Sequence, residues 1–117
     1  MEFTPFTKLK IWQTAHRLSL RIYGITRAFP SDEKFGLTSQ LRRASVSVSA
    51  NIAEGTGRGS SKELSYFLHV AHGSIKEMVS HCLLARDLSF IDPKEADELI
   101  REYGGLSAGI SAFMKKM

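Results

Sequence analysis

The four histidines of the 117-residue chain invite a metal reading: His69 and His72 sit three residues apart, and His81-Cys82 follows. On a helix, His69 and His72 share a face, but His81 lies about three turns further on, near 18 Å along the axis. One ion cannot join all of them without ligands from another helix. There is no His-Glu-x-x-His and no di-iron Glu-x-x-His pair, so no metal and no cofactor is expected, and the histidines read as surface or interface residues. Gly55-Thr56-Gly57-Arg58-Gly59 looks like a phosphate loop only in its glycines: it lacks the Gly-Lys-Ser/Thr ending and follows a helical pattern. It reads as a helix–helix turn, although Arg58 and Lys62 beside it could hold an anion. Ser45, Ser47 and Ser49 have no histidine or lysine in a triad-like context, so no enzyme activity is expected.

A different constellation runs along the second half of this region. Gln40, Arg43, Ser47, Asn51, Glu54 and Arg58 recur at steps of three and four, a polar line beside an apolar seam. Such a line is partly buried, and buried polar groups cost stability unless paired. Gly73, Ser74, Glu77 and His81 offer partners at matching spacing. Arg43 or Arg58 could pair with Glu77, Asn51 could reach a backbone carbonyl or Glu54, and Gly73 could admit a close helix approach. A structural network of Arg43, Ser47, Asn51, Glu54, Ser74 and Glu77 is one reading; a ligand site is the other.

The elements that must position these residues are helical. Apolar residues step by three and four at Ile11, Ala15, Leu18, Ile22, Ile25 and Phe29; at Leu37, Leu41, Ala44, Val48 and Ile52; at Leu64, Leu68, Ala71, Ile75, Met78, Cys82, Ala85 and Leu88; and at Ala96, Leu99, Tyr103, Leu106, Ile110, Phe113 and Met117. Only Ser45-Val46-Ser47-Val48-Ser49 alternates like a strand, and its flanks keep the helical step. Breaks at Phe29-Pro30-Ser31-Asp32, at Gly55–Ser61 and at Ser89–Pro93 leave helices at about 8–28, 34–57, 61–88 and 93–116. Thr7, Ser60 or Ser61, and Asp92 are the expected N-caps, with Pro93 at a first helical position and Glu95 completing a capping box. Short loops favour antiparallel neighbours. The fold class is therefore all-α, an up-down antiparallel four-helix bundle forming a single domain over 1–117.

Charge is uneven. Residues 1–62 hold ten Lys/Arg against four Asp/Glu, a net of +6, whereas residues 63–117 hold six against eight, a net of −2. This asymmetry suits a polyanion or an acidic partner, or simply a well-solvated face. Lys10, Arg17, Arg21, Arg42, Arg58 and Lys62 are the candidate nucleic-acid contacts. Trp12, Leu20 and Tyr23 fall outside the seam of the first helix and suggest an interface between copies. No apolar stretch approaches the ~20 residues of a membrane span. Met1–Pro5 shows no signal-peptide pattern, and a single cysteine excludes an internal disulfide, so a cytoplasmic protein is expected.

These residues carry a resemblance. Leu9-x-Ile11-Trp12-Gln13-x-Ala15, Phe29-Pro30, Glu33-x-Phe35-Gly36-Leu37-Thr38-Ser39-Gln40-Leu41-Arg42-Arg43-Ala44, Asn51-Ile52-Ala53-Glu54-Gly55-x-Gly57-Arg58 and Gly73-Ser74-x-x-Glu77 together resemble the bacterial four-helix bundle protein family, also called the ribosomal S23 or rRNA intervening-sequence protein family. The resemblance implies a homopentamer of up-down bundles, without established catalysis. A related protein is the accessory variability factor of diversity-generating retroelements. Relatives often carry proline where this chain has Ser49, which implies a slightly straighter second helix. On this basis the expected function is a non-catalytic homo-oligomeric protein that binds RNA or a nucleoprotein partner. The alternative is a protein-interaction scaffold with no nucleic-acid role.

Overall fold

Each apolar seam winds into a helix because its three-and-four step keeps one face apolar over several turns. In the computed structural model, which describes residues 5–117, helix α1 spans Lys10–Thr26, α2 Leu37–Thr56, α3 Ser61–Asp87 and α4 Pro93–Lys115. Short 3-10 turns at Phe6–Lys8 and Ser31–Glu33 precede α1 and α2. No strand occurs among the described residues, and the serine-alternating stretch lies inside α2. The signal-peptide reading of residues 1–4 falls outside the described residues.

The termini show which local signals operate. Ser60 Oγ accepts from the Glu63 N–H, and Asp92 Oδ1 accepts from the Lys94 N–H with Pro93 opening α4. Two expectations need correcting. Thr7 does not cap α1: the N-cap position is Leu9, and the Thr7 carbonyl instead accepts from the Gln13 side chain at 2.9 Å. Helix α2 begins at Leu37 rather than 34, because Glu33 Oε1 accepts the Leu37 N–H from the preceding 3-10 turn and serves as the cap in place of Gly36. Helix α3 ends without glycine. Ser89 takes a left-handed φ of 64°, and the Phe90 and Ser89 N–H groups close onto Ala85 and Arg86 carbonyls in a Schellman arrangement.

The helices run up and down in a bundle of 48 × 23 × 20 Å. The four seams meet in one core. Leu18, Ile22, Val48, Ile52, Leu68, Met78, Leu99, Tyr103 and Ile110 are all but inaccessible. The seam ends fray: Leu88 and Met117 are exposed. Helix α2 packs most extensively on α3, and α1 least on α4.

Gly73 does not mediate the close approach between α2 and α3, since it is exposed and a Cβ there would meet nothing within 4 Å. Gly55 does. A Cβ at Gly55 would lie 2.9 Å from Leu64 Cδ1 and 3.0 Å from Phe67 Cβ. Gly105, in the middle of α4, has no such neighbour. We therefore expect Gly55→Ala to destabilise the bundle by roughly 1–3 kcal/mol through overpacking, and Gly105→Ala to stabilise it by up to about 1 kcal/mol through helix propensity. Urea unfolding of the two variants checks both signs.

Candidate nucleic-acid interface

The polar line on α2 meets α3 as a network with two parts. Ser47 Oγ lies 2.8 Å from Ser74 Oγ, and Asn51 Nδ2 donates to the Ser47 carbonyl at 2.8 Å and to its hydroxyl at 3.1 Å. Ser47 and Asn51 are half-buried and Ser74 is buried, so this part locks register with its polar atoms paired. One to two turns away, Arg43 bridges Gln40 and Glu77, and Glu77 also lies 3.1 Å from His81 Nε2. Arg58 turns instead to Glu54 at 3.1 Å and stacks 4.9 Å from the Phe67 ring centroid. Asn51 therefore uses the backbone carbonyl rather than Glu54.

Helix α1 clasps α4 through charge. Arg17 pairs with Glu102 at 3.0 Å; Arg21 reaches Glu102 at 2.6 Å, Glu98 at 2.8 Å and Glu95 at 3.8 Å. Glu95 thus faces Arg21 instead of completing the capping box at Asp92. These two arginines of the expected nucleic-acid set face a carboxylate row. Arg42 is also engaged: its Nε donates to Thr26 Oγ1 at 2.9 Å, and its guanidinium lies 4.6 Å over the Tyr23 ring. Helix periodicity in one segment cannot reveal contacts made by another, and so none of these pairings was visible in the sequence.

The remaining cations gather. Up-down topology brings the start of α1, the α2–α3 turn and the end of α4 to the same end of the bundle. Lys8, Lys10, Arg58, Lys62, Lys115 and Lys116 lie there, all exposed. Glu54 and Glu63 are the carboxylates of that end among the described residues; one pairs with Arg58 and the other accepts from the Ser60 hydroxyl at 3.1 Å. Lys10, Arg58 and Lys62 of the expected set belong to this basic end. The contribution of Lys8, Lys115 and Lys116 was missed because they are far apart in sequence, although the up-down topology itself was legible.

The expected interface residues separate. Trp12 is half-buried, edge-on to Phe6 with ring centroids 5.2 Å apart and stacked on His16 at 4.6 Å. Leu20 is 62% exposed and Tyr23 38%. His72 forms a contact the sequence did not suggest, with Nδ1 3.0 Å from Ser107 Oγ and Nε2 3.4 Å from Ser111 Oγ. Among the described residues, no group of three or more His, Cys, Asp or Glu comes together as a metal site, and no helix is long and apolar enough to cross a membrane.

The sequence profile of the 23S rRNA-intervening sequence protein family matches residues 7–112. The chain belongs to that family. A search of curated proteins returned no match. Among solved structures, the chain is similar to a protein of unknown function from the S23 ribosomal protein family of Bacteroides thetaiotaomicron VPI-5482, at 17% identity and a TM-score of 0.79, covering 90% of this chain and 98% of that one. At that identity the likeness speaks for the fold alone. The all-α four-helix bundle expected from the sequence is thus the fold of this chain, and the solved S23-family structure shares it.

Two measurements test the site's polar contacts. Glu77 and Arg43 keep 32% and 56% of their side chains exposed, so solvent screens their pair. We expect Glu77→Ala to cost about 0.5–1 kcal/mol and Asn51→Leu, which strips the buried Ser47–Ser74 pair of a partner, about 1–3 kcal/mol; equal melts for wild type and Asn51→Leu would overturn this ordering. Burial, His69 and Lys76 hold the His72 pKa below its ordinary 6.5. The unfolded chain then binds the proton first, so His72 subtracts stability as pH falls below 6.5. Thermal melts between pH 7.5 and 5 should show His72→Gln losing less stability than wild type.

Proposed function

We propose that this protein is a non-catalytic, self-associating RNA-binding bundle whose basic end meets phosphate. The observation that carries the reading is the gathering of Lys8, Lys10, Arg58, Lys62, Lys115 and Lys116 at one end. The exposed lysines of this end suit sequence-independent phosphate contacts, and Arg58, held by Glu54 and the Phe67 ring, stands beside them as a fixed positive charge. The family's name, 23S rRNA-intervening sequence protein, agrees with an RNA role. Arg17, Arg21 and Arg42 enter this reading as structural residues, because carboxylates or the Tyr23 ring already occupy them.

Self-association completes the reading. Leu20 and Tyr23 on α1 and Val46 on α2 are exposed apolar side chains available to a second copy. A ring of five, as the family resemblance implies, multiplies the basic end fivefold and strengthens attraction for a polyanion. The second reading, a protein scaffold, is favoured by the same side chains serving another protein. Pull-down with and without nuclease separates them: a partner that survives nuclease supports the scaffold.

The direct test is titration of a labelled structured RNA at about 50 and 200 mM salt. We expect binding that weakens with salt, and a double variant Lys62→Glu/Lys115→Glu whose log–log salt slope is smaller by about 2. Lys94→Glu, at the opposite end, should bind as wild type. A double variant that binds like wild type, or a wild-type protein that binds no RNA, overturns the proposal; light scattering that finds a monomer at micromolar concentration removes the self-association.

A further inference from the structure

Toward the basic end, residues of α1 and α4 line an open groove. Arg17 and Arg21 hold the two helices together at the carboxylate row, and beyond Glu102 no ion pair bridges them among the described residues. The groove has a volume of about 480 Å³. Its size falls in the range of small-ligand pockets, about 300–1,000 Å³. Leu9, Ile11, Leu106 and Phe113 make its walls apolar. On the α4 side Gly105, Gly109 and Ala112 keep it open. A Cβ at Gly105 would meet nothing within 4 Å, and one at Gly109 would meet Ile11 Cγ2 only at an ordinary 3.5 Å. Glycines inside a helix cost stability, and here no close packing within the chain requires them. Lys10 and Lys116 stand among the lining residues, exposed, and the Arg17–Glu102 pair lies at the groove's far end.

An apolar slot flanked by lysines suits a flat ring with apolar faces joined to a phosphate. We infer that the α1–α4 groove docks an unpaired base of single-stranded RNA, with the flanking phosphates on Lys10 and Lys116. The inference rests on the RNA-binding reading above and narrows its substrate to RNA with unstacked bases. A duplex keeps its bases stacked inside and presents only phosphates and groove edges, so it cannot enter the slot. Single strands place bases against aromatic and apolar side chains, and Phe113 supplies the aromatic ring here.

The test fills the slot without disturbing charge. Gly105→Leu and Ala112→Leu line the groove; Gly104→Leu brings the helix-propensity gain of Gly105→Leu outside it, where a Cβ also meets nothing within 4 Å. Anisotropy titrations use a short labelled oligouridylate and a labelled RNA duplex of equal length. We expect both filled variants to lose roughly tenfold in affinity for the single strand, to hold their affinity for the duplex, and to melt no lower than wild type, while Gly104→Leu binds both as wild type. Retained single-strand affinity in both filled variants overturns the inference, as does an equal loss for the duplex. A changed mass by light scattering in the filled variants also overturns it, and assigns the groove to a second copy of the chain. If Lys62→Glu/Lys115→Glu still weakens binding while the filled variants do not, the basic-end reading stands and the slot alone fails; if wild type binds neither RNA, both fail.

Discussion

The pairing of α2 with α3 sets the geometry on which the rest of the bundle depends. It is held at three levels along one interface. Gly55 lets the α2 backbone come down on Leu64 and Phe67; Ser47 meets Ser74 at mid-length; Arg43 meets Glu77 further on. Each contact tolerates only one sliding position of α3 against α2, so together they fix register where apolar packing alone would allow neighbouring alternatives. Glycine acts here through shape, the serines through paired buried hydroxyls, and the ion pair chiefly through specificity, since half-exposed charges add little stability. With α2 and α3 fixed, α4 folds back through the short Schellman-ended turn and α1 is left to close the bundle. It does so partly by charge, through Arg17 and Arg21.

Much of this order was legible from residue types. The apolar step located all four helices, and the core residues Ile11, Leu18, Ile22, Leu41, Val48, Ile52, Leu68, Ile75, Leu99 and Tyr103 follow it. Ser60 and Asp92 act as caps because an oxygen-bearing side chain directly precedes a strong helix start. The misplacements have local causes. Thr7 had the right chemistry but was displaced by a 3-10 turn that moved the start of α1 to Lys10. Gly73 and Gly55 look alike in sequence; only the crossing of two helices decides which one faces a neighbour. The polar line on α2 was legible as partly buried, with a structural network and a ligand site both open, yet the partner of each member depended on the register between helices, a quantity that periodicity within one helix does not contain.

The candidate site was less legible for a related reason. Charge counted along the chain divides at residue 62, but charge in space divides along the bundle axis. The excess cations of α1 are cancelled by the carboxylates of α4 at Glu95, Glu98 and Glu102. Lys115 and Lys116, in the half of the chain with negative net charge, join Lys8 and Lys10 at the basic end. Antiparallel folding thus converts a split between halves into a split between ends.

That conversion matters for any anionic partner. The opposite end, from the α1–α2 and α3–α4 turns, carries Asp32, Glu33, Asp87, Asp92, Glu95, Asp97 and Glu98 against Arg21, Arg27, Lys34, Arg86 and Lys94. The bundle's long extent is 48 Å, several times the Debye length of about 8 Å at physiological ionic strength. The acidic end is therefore screened from an anion approaching the basic end, and the modest net charge of +4 understates the local field that such an anion meets. Attraction is set by the cations within reach rather than by the whole-chain sum, so a nearly balanced protein still presents one distinctly cationic surface.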